Sequence, residues 1–327
     1  MRSTGWRSQL RRVAMTAVGA AALLCLIRPA AAFPDRPITV VVPFAPGGPT
    51  DIIARILSVS LSQSLGQQVV VDNRGGAAGN IGMGQVARAT PDGHTLLLAS
   101  TAIAVNPALF KNLPYDPIKD FAPISELVNA PNVLVVHPES GIKSIADLIA
   151  RAKAEPFSYS SPGAGTKSHL TGELLKLRAN IDMVHVPFRG AGPAAQAVVG
   201  KQIQVGSVAL AAAESMIQSG QLRALAVTSE KRWFSLPNVP TMIEAGYPGF
   251  VSDTFNALLA PAGVPQPILA RLVKETRAAF QKPEALAQAR KSGFEVVAGT
   301  PEQLAARIKA EIPAVRELVA KAGIPLQ

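Results

Sequence analysis

The stretch ITVVVPFAPGGPTDIIARILSVSLSQSLG, residues 38–66, decides the fold class. It begins with ITVVVPF, a continuous run rich in β-branched residues that is typical of a strand buried on both faces. A Gly/Pro turn follows, and apolar side chains then recur at helical spacing from Ile52 to Leu65 until Gly66 ends the helix. A strand, a glycine loop and a helix in this order predict a parallel α/β sheet.

The same order of elements recurs along the chain. After a second glycine-rich loop, the strand FSYSS leads into SPGAGTKS and a helix that carries Leu170, Leu174 and Leu177 on one side. The chain from Pro267 is predicted to be helical, with a short strand at Phe294 and a helix start at Thr300. Further strands are predicted at Gln68–Asn73, Thr95–Ala99, Pro131–Pro138, Met183–Phe188, Gln202–Val208 and Leu222–Ser229.

Composition narrows the class of protein. The chain has 327 residues, of which 48% are hydrophobic and 17% charged, so it is long enough for two ordinary domains and too apolar to be disordered. Its single cysteine, Cys25, excludes a disulfide scaffold.

The N-terminal segment reads as a secretory signal peptide. It carries five arginines and no acidic residue, then an apolar stretch at residues 13–27, then Ala30-Ala31-Ala32 ahead of Phe33. We predict cleavage after Ala32 and a periplasmic location. Removing these arginines lowers the formal net charge from +10 to +5, so the basic balance does not call for nucleic acid.

This segment has three alternative interpretations. Its apolar stretch is shorter than the roughly 20 residues that a membrane span needs. Arg11-Arg12 leaves export by the Sec or the twin-arginine route open. Leu24 is bulky where a lipid-attachment signal at Cys25 would need a small residue. After cleavage the chain has no cysteine, which excludes thiolate catalysis and Cys-ligated zinc.

Two matched glycine loops, Pro43–Asp51 and Ser160–Ser168, are the strongest candidates for a binding site. Each opens into a helix whose first amides lack intrahelical partners, and such a helix start binds a carboxylate or phosphate. Ser100-Thr101 and the loop Phe188–Gly192 also follow strands. Each loop taken alone is equally consistent with a tight turn, but the repetition favours binding.

Enzyme and metal motifs are missing from the sequence. It has no G-x-S-x-G, H-E-x-x-H or Walker sequence, and its four histidines have no ligand spacing. We therefore predict no catalytic residue, no metal and no cofactor, with a capping or packing role for His169. The enzyme alternative is a hydrolase that uses Ser161 or Thr166 with His169.

The chain resembles the Bordetella-uptake-gene (Bug) family of periplasmic solute-binding proteins, which serve tripartite tricarboxylate transporters. The resemblance covers nearly all of the chain after the signal peptide and rests on seven segments in the family's order: residues 37–51, 69–82, 92–110, 159–175, 184–194, 222–232 and 236–246.

This resemblance implies an α/β Venus-flytrap fold of two lobes, each a mainly parallel sheet flanked by helices, with the ligand cleft between them. We place the first lobe at residues 33–133 and 256–327 and the second at residues 134–255. The crossing strands are expected near Asn132–Val136 and Ser252–Leu258.

The family resemblance also implies a set of cleft residues. The first lobe would contribute Phe44, Gly47, Gly48, Thr50, Asp51, Ser100 and Thr101. The second lobe would contribute Ser161, Gly163, Gly165, Thr166, His169, Phe188 and Gly190.

The implied ligand is a small carboxylate, and the implied partners are the membrane subunits of a tripartite tricarboxylate transporter; we expect a monomer.

Two positions depart from the family pattern. Ser207-Val208 replaces an aromatic-acidic pair, and Phe255-Asn256 replaces a tryptophan-aromatic pair. Without an acidic side chain to meet an ammonium group, a dicarboxylate, tricarboxylate or aromatic acid fits better than an amino acid. A sensor accessory that binds the same acids remains an alternative.

Overall fold

The computed structural model describes residues 33–326. The predicted signal peptide, residues 1–32, lies outside the described residues. Within residues 33–326, no helix is long and apolar enough to cross a bilayer.

Strands and helices alternate through most of the described chain. The strands are β1 (Ile38–Val42), β2 (Val69–Asn73), β3 (Thr95–Ser100), β4 (Phe121–Val136), β5 (Ser158–Ser161), β6 (Val184–Pro187), β7 (Val205–Ala209), β8 (Arg223–Val227), β9 (Asp253–Pro261) and β10 (Glu295–Val296). The α-helices are α1 (Pro49–Leu65), α2 (Asn80–Ala87), α3 (Ala102–Leu109), α4 (Ile145–Ala154), α5 (Lys167–Ala179), α6 (Ala191–Val199), α7 (Leu210–Gln218), α8 (Gln266–Gln281), α9 (Pro283–Lys291) and α10 (Pro301–Lys321).

The first lobe is built on a sheet with the order β2-β1-β3-β9-β4. Strands β1, β2 and β3 are parallel, while β9 runs antiparallel to β3 and to β4. Helix α1 packs against α8, and α3 packs against α10. Because β1 and β3 are parallel, the loops that follow them emerge at the same edge of this sheet.

The second lobe is built on a sheet in which β4 lies between β7 and β8, with β5 and β6 beyond β7. Strands β5, β6 and β7 are parallel, and β4 runs antiparallel to β7 and β8. A core around Phe157, Tyr159 and Phe250 fills one side. The two-lobed α/β fold implied by the resemblance is confirmed.

Strand β4 passes from one lobe to the other. It pairs with β9 as far as Pro131, and Asn132–Val136 then pairs with β7 and β8. The sequence predicted a strand only from Pro131, because Pro123, Ser125 and Glu126 interrupt the apolar run before it. These residues nevertheless belong to the strand, and the buried Glu126 side chain is paired with Arg307 of α10.

Candidate functional site

The loop after β1 is shaped by the carboxylate of Asp51. This side chain is only 2% exposed. Its oxygens accept hydrogen bonds from the Gly47 amide at 2.9 Å, from Arg55 at 2.9 and 3.1 Å, and from the Asn73 amide group at 3.0 Å. Asn73 also donates to the Phe44 carbonyl. Asp51 therefore fixes the loop with all of its charge already partnered.

The electrostatics of Asp51 follow from the same contacts. Burial raises the pKa of this carboxyl, but the hydrogen bonds from Arg55, Gly47 and Asn73 outweigh it, and the net pKa lies below its usual value. Asp51 is consequently ionised at neutral pH. The negative charge that it adds beneath the loop is balanced by Arg55.

Two backbone amides at this loop have no acceptor within helix α1. Thr50 and Asp51 occupy the first turn of α1 and so lack intrahelical acceptors for their N–H groups. Gly47 has φ of +82°, which favours glycine, and its backbone is exposed. The Phe44 ring lies beside Gly79, where an added Cβ would be 3.4 Å from its Cζ. The missing side chain at Gly79 therefore leaves room for the Phe44 ring.

Ser100 and Thr101 lie at the end of the neighbouring strand β3, and both are buried. The Ser100 hydroxyl accepts a hydrogen bond from the Ala102 amide at 3.2 Å, at the start of α3. Ser100 pairs with Asn256 of β9. Asn256 is fully buried, and both polar atoms of its carboxamide lack a hydrogen-bond partner among the described residues.

The loop after β5 is also built from its own side chains. Thr166 caps α5, and its hydroxyl accepts from the His169 amide while donating to the Gly163 carbonyl. His169 Nδ1 accepts from the Gly165 amide at 3.0 Å. The loop is thus held rigid from both sides, and the first-turn amides of α5 stay without intrahelical acceptors.

His169 stacks on a second histidine that the sequence did not single out. The rings of His169 and His185 lie 3.9 Å apart, centroid to centroid, and the Tyr159 ring lies 4.9 Å from His185 and 6.5 Å from His169. The Tyr159 hydroxyl donates to Glu173 at 2.6 Å. Strand pairing explains the contact, because β5 places Tyr159 opposite His185 on β6.

Burial governs the charge of these rings. It lowers the pKa of His169 to about 4, with a further decrease from the nearby Lys176 charge. Burial likewise lowers the pKa of His185 to about 4, and His169 adds to the decrease. Both rings are neutral at pH 7, which leaves His169 Nδ1 free to accept the Gly165 hydrogen bond.

Ser161 makes a hydrogen bond with His185 Nε2 at 2.7 Å. This pairing differs from the Ser161–His169 combination of the hydrolase alternative. The Ser161 side chain is fully buried and also accepts from the Gly163 amide. It therefore supports the loop in this structure.

A third helix start adjoins this loop. The Phe188 amide donates to the Ser161 carbonyl, and the Gly190 amide donates to the Pro162 carbonyl, which bring the start of α6 beside the start of α5. Gly190 has φ of +123° and precedes α6 directly. Arg189, between these residues, is exposed.

A buried polar network joins the second loop to the crossing strands. Ser168 in the first turn of α5 donates to Asn132 Oδ1 of β4 at 2.5 Å, and Asn132 Nδ2 donates to the Ser252 carbonyl just before β9. Thr228 contacts both crossing segments. The Ser207 hydroxyl donates to the Ser168 carbonyl at 2.7 Å.

The sequence reasoning missed this network because its members are small polar residues scattered over 120 positions. Their only sequence signal was polar residues inside apolar strand patterns. All of these side chains are at least 96% buried, and hydrogen bonding to one another is what makes that burial tolerable.

The structure brings the predicted second-lobe residues into one connected cluster. The predicted first-lobe residues form two neighbouring groups, the loop after β1 and the end of β3. The lobes approach each other at Gly165, where an added Cβ would lie 2.6 Å from Leu109 Cδ1 of α3. Within residues 33–326, no group of three His, Cys, Asp or Glu side chains is placed to hold a metal ion. This arrangement offers amide donors and helix starts, which suit an anion.

The chain matches one protein-family model and several related sequences. The model of the "Tripartite tricarboxylate transporter family receptor" matches residues 53–324. The chain is 41% identical to the UPF0065 protein in the tcbD-tcbE intergenic region of Pseudomonas sp. (strain P51), over 88% of this chain and 87% of that protein. It is 38% identical to Protein BugT of Bordetella pertussis, over 90% and 92% respectively.

Solved structures show the same fold. The adipate complex of R. palustris Rpa4515 matches with a TM-score of 0.83 and 32% identity, over 90% of this chain and all of that one. The periplasmic binding protein BugD matches with a TM-score of 0.81 and 37% identity, over 90% of this chain and 100% of that one. MatC (Rpa3494) from Rhodopseudomonas palustris with bound malate matches with a TM-score of 0.78 and 32% identity, over 88% of this chain and 100% of that one.

Proposed function

Because this chain belongs to the receptor family of tripartite tricarboxylate transporters, we propose that it is a periplasmic receptor for a small organic carboxylate. The ligand lies between the lobes, which we bound at residues 33–133 with 256–327 and at residues 134–255. We assign the site to the fourteen predicted cleft residues, from Phe44 to Gly190.

One observation carries this proposal: helix starts from both lobes carry unsatisfied amides at the C-terminal ends of strands. The first turns of α1, α5 and α6 provide N–H groups of Thr50, Lys167 and Ala191, among others. Helix starts favour a negative charge. Because Asp51 already has four hydrogen bonds, it does not need a cationic group of the ligand.

The ligand class follows from what the second lobe lacks. Ser207 is fully buried and donates to the Ser168 carbonyl, and Val208 is packed in the core. Neither side chain can pair with an ammonium group. We therefore favour a dicarboxylate, tricarboxylate or aromatic acid over an amino acid, in line with the adipate and malate held by two structural neighbours.

A thermal-shift screen of the chain from Phe33 to Gln327 tests the proposal. The panel contains adipate, malate, citrate, benzoate, aspartate and glutamate, and the protein is first unfolded and refolded to remove carried-over ligand. A ligand at a hundredfold its Kd should add about 2.7 kcal/mol to the free energy of unfolding. Tighter binding of aspartate or glutamate than of every other acid would contradict the ligand class, and a flat panel would contradict the receptor.

Delivery to membrane subunits of a tripartite tricarboxylate transporter is the second part of the proposal. Deleting the gene should abolish uptake of the acid found in the screen, and uptake should return with the gene on a plasmid. Unchanged uptake together with a lost transcriptional response to the acid would favour the sensor accessory instead.

A further inference from the structure

We propose that Lys167 and Glu311 form a latch between the two lobes, which holds the cleft closed and thereby sets the affinity for the carboxylate. The effect on affinity rests on the proposed function, whereas the latch itself is a property of the ligand-free chain.

The two side chains belong to different lobes. Lys167 is the first residue of α5, directly after the cap Thr166, and Glu311 lies in α10, which packs on α3 of the first lobe. Lys167 Nζ and Glu311 Oε1 are 3.4 Å apart, and the side chains are only 14% and 18% exposed. This ion pair therefore connects the start of a ligand-binding helix to the opposite lobe.

An apolar contact continues the interface beside the pair. Leu109 of α3 and Leu170 of α5 pack with Val315 and Val319 of α10 in one buried cluster. Gly165, two residues before Lys167, lies against Leu109. Because these contacts exclude water from one side of the ion pair, its charges are screened less than those of an exposed pair.

The pair is poorly arranged for a purely structural role. A lysine in the first turn of a helix opposes the helix dipole. Glu311 Oε2 is buried without a hydrogen-bond partner among the described residues. Arg307, its neighbour on α10, is committed to Glu126 at 2.5 Å and Asp253 at 2.7 Å and stays 3.8 Å from Glu311.

These features fit a contact that forms and breaks. Glu311 shares Arg307 with Glu126 of the first lobe and with Asp253 at the start of β9, so Lys167 supplies a second positive charge for Glu311 only when the lobes meet. Opening leaves Glu311 without that partner. Closing unites Lys167 with Glu311 and brings the amides of α5 toward the first loop, so latch and ligand favour the same state.

The test measures the separation of the lobes in the absence of ligand. Cys25 is the only cysteine, so Cys25→Ser with Val59→Cys and Val184→Cys gives a clean pair of spin labels in the full chain. Both label sites are exposed, at 63% and 65%, and they lie on different lobes. Electron double resonance then reports the distribution of distances.

We expect Lys167→Met and Glu311→Gln each to shift this distribution to longer distances. The reversed pair Lys167→Glu/Glu311→Lys should restore it. Lys321→Met is the matched control, since it removes a lysine that pairs with Glu317 on α10 alone, and it should leave the distances unchanged. Thermal unfolding of each variant verifies that it is folded.

An unchanged distribution in both single variants would overturn the latch. A shift in Lys167→Met without one in Glu311→Gln would also overturn it, because Lys167 would then act on another group. Adipate provides a separate arm: we expect each single variant to weaken its apparent affinity roughly five- to tenfold. If the unaltered protein binds neither adipate nor any other acid of the panel, the proposed function is contradicted and the distance result still decides the latch.

Discussion

At the scale of single residues, the first glycine loop depends on Asp51, whose carboxylate oxygens receive four hydrogen bonds. The family resemblance implied that this residue lies in the ligand cleft. The hydrogen bonds favour a role in which Asp51 positions the amides of the loop. If Asp51 has this role, replacing it should weaken ligand binding even though its side chain does not itself contact the ligand.

Replacing Asp51 by alanine should weaken ligand binding strongly and lower the free energy of unfolding by about 2 kcal/mol, since the Gly47 amide and Asn73 lose a buried acceptor. Urea unfolding and calorimetry measure the two effects. The matched control is Arg55→Met, which removes only an exposed partner of the same carboxylate and should cost clearly less in both assays. Equal losses in the two variants would contradict the positioning role.

Gly48 offers a second test of the same loop. A Cβ at Gly48 would meet only the Ala45 carbonyl, at 3.7 Å, and the backbone φ of −81° suits any residue. Gly48→Val should therefore leave the thermal unfolding temperature nearly unchanged while removing ligand binding, because the side chain blocks backbone approach. Gly163→Val is a harsher variant, since Gly163 has φ of +152°. Normal affinity in Gly48→Val would place the ligand elsewhere.

At the scale of elements, helix α5 links the loop after β5 to a buried aromatic stack and to the crossing strands. The neutral state of His169 is required for the bond from the Gly165 amide, and two positive charges cannot occupy rings 3.9 Å apart without strong repulsion. Low pH should therefore loosen this loop first.

The sign of the pH effect follows from the lowered pKa values. Between pH 6.5 and pH 4 the unfolded chain binds protons at His169 and His185 that the folded chain does not, so the free energy of unfolding falls as the pH falls. We expect the two histidines together to account for a loss of up to about 5 kcal/mol between pH 7 and pH 4.5.

Urea unfolding of His169→Gln/His185→Gln beside the unaltered protein isolates this contribution. The comparison is needed because Glu126 also titrates in this range. Burial raises the pKa of Glu126 to about 7, an effect that Arg307 partly offsets. Protonation of Glu126 therefore increases the free energy of unfolding as the pH falls, whereas protonation of the histidines decreases it. Identical pH profiles for the two proteins would show that the histidines do not titrate as described.

The crossing strands provide the second prediction at this scale. Asn132→Leu should lower the free energy of unfolding by about 3 kcal/mol, because it leaves Ser168 and the Ser252 carbonyl unpaired in a dry site. Ser168→Ala removes only one of these bonds and should cost about 1 kcal/mol. Chemical unfolding ranks the two variants, and a larger loss in Ser168→Ala would contradict the central place of Asn132.

At the scale of the whole molecule, the chain should be exported before it folds around its ligand. Mass spectrometry of protein from the periplasmic fraction should find a chain that begins at Phe33, since the A-x-A pattern ends at Ala32. Ala30→Arg/Ala32→Arg should leave the full-length chain attached to the membrane fraction. An uncleaved chain in the unaltered protein would show that the segment is retained as an anchor.

The sequence by itself determined the α/β class, most of the strands and the family. These depend on local patterns: the β-branched run from Ile38, the glycine loops and the helix starts are written in consecutive residues, and they are repeated in both halves of the chain. Glycine loops ahead of helices also predict an anionic ligand, because amides at a helix start favour negative charge.

Only the tertiary structure decided which side chains meet. His185 stacks on His169, Ser168 bonds to Asn132, and Lys167 reaches Glu311 across 144 positions of sequence. The register of β5 on β6 and the passage of β4 between the lobes set these contacts. Burial then fixes their chemistry, since the same carboxylate or imidazole has a different charge and a different role once its neighbours exclude water.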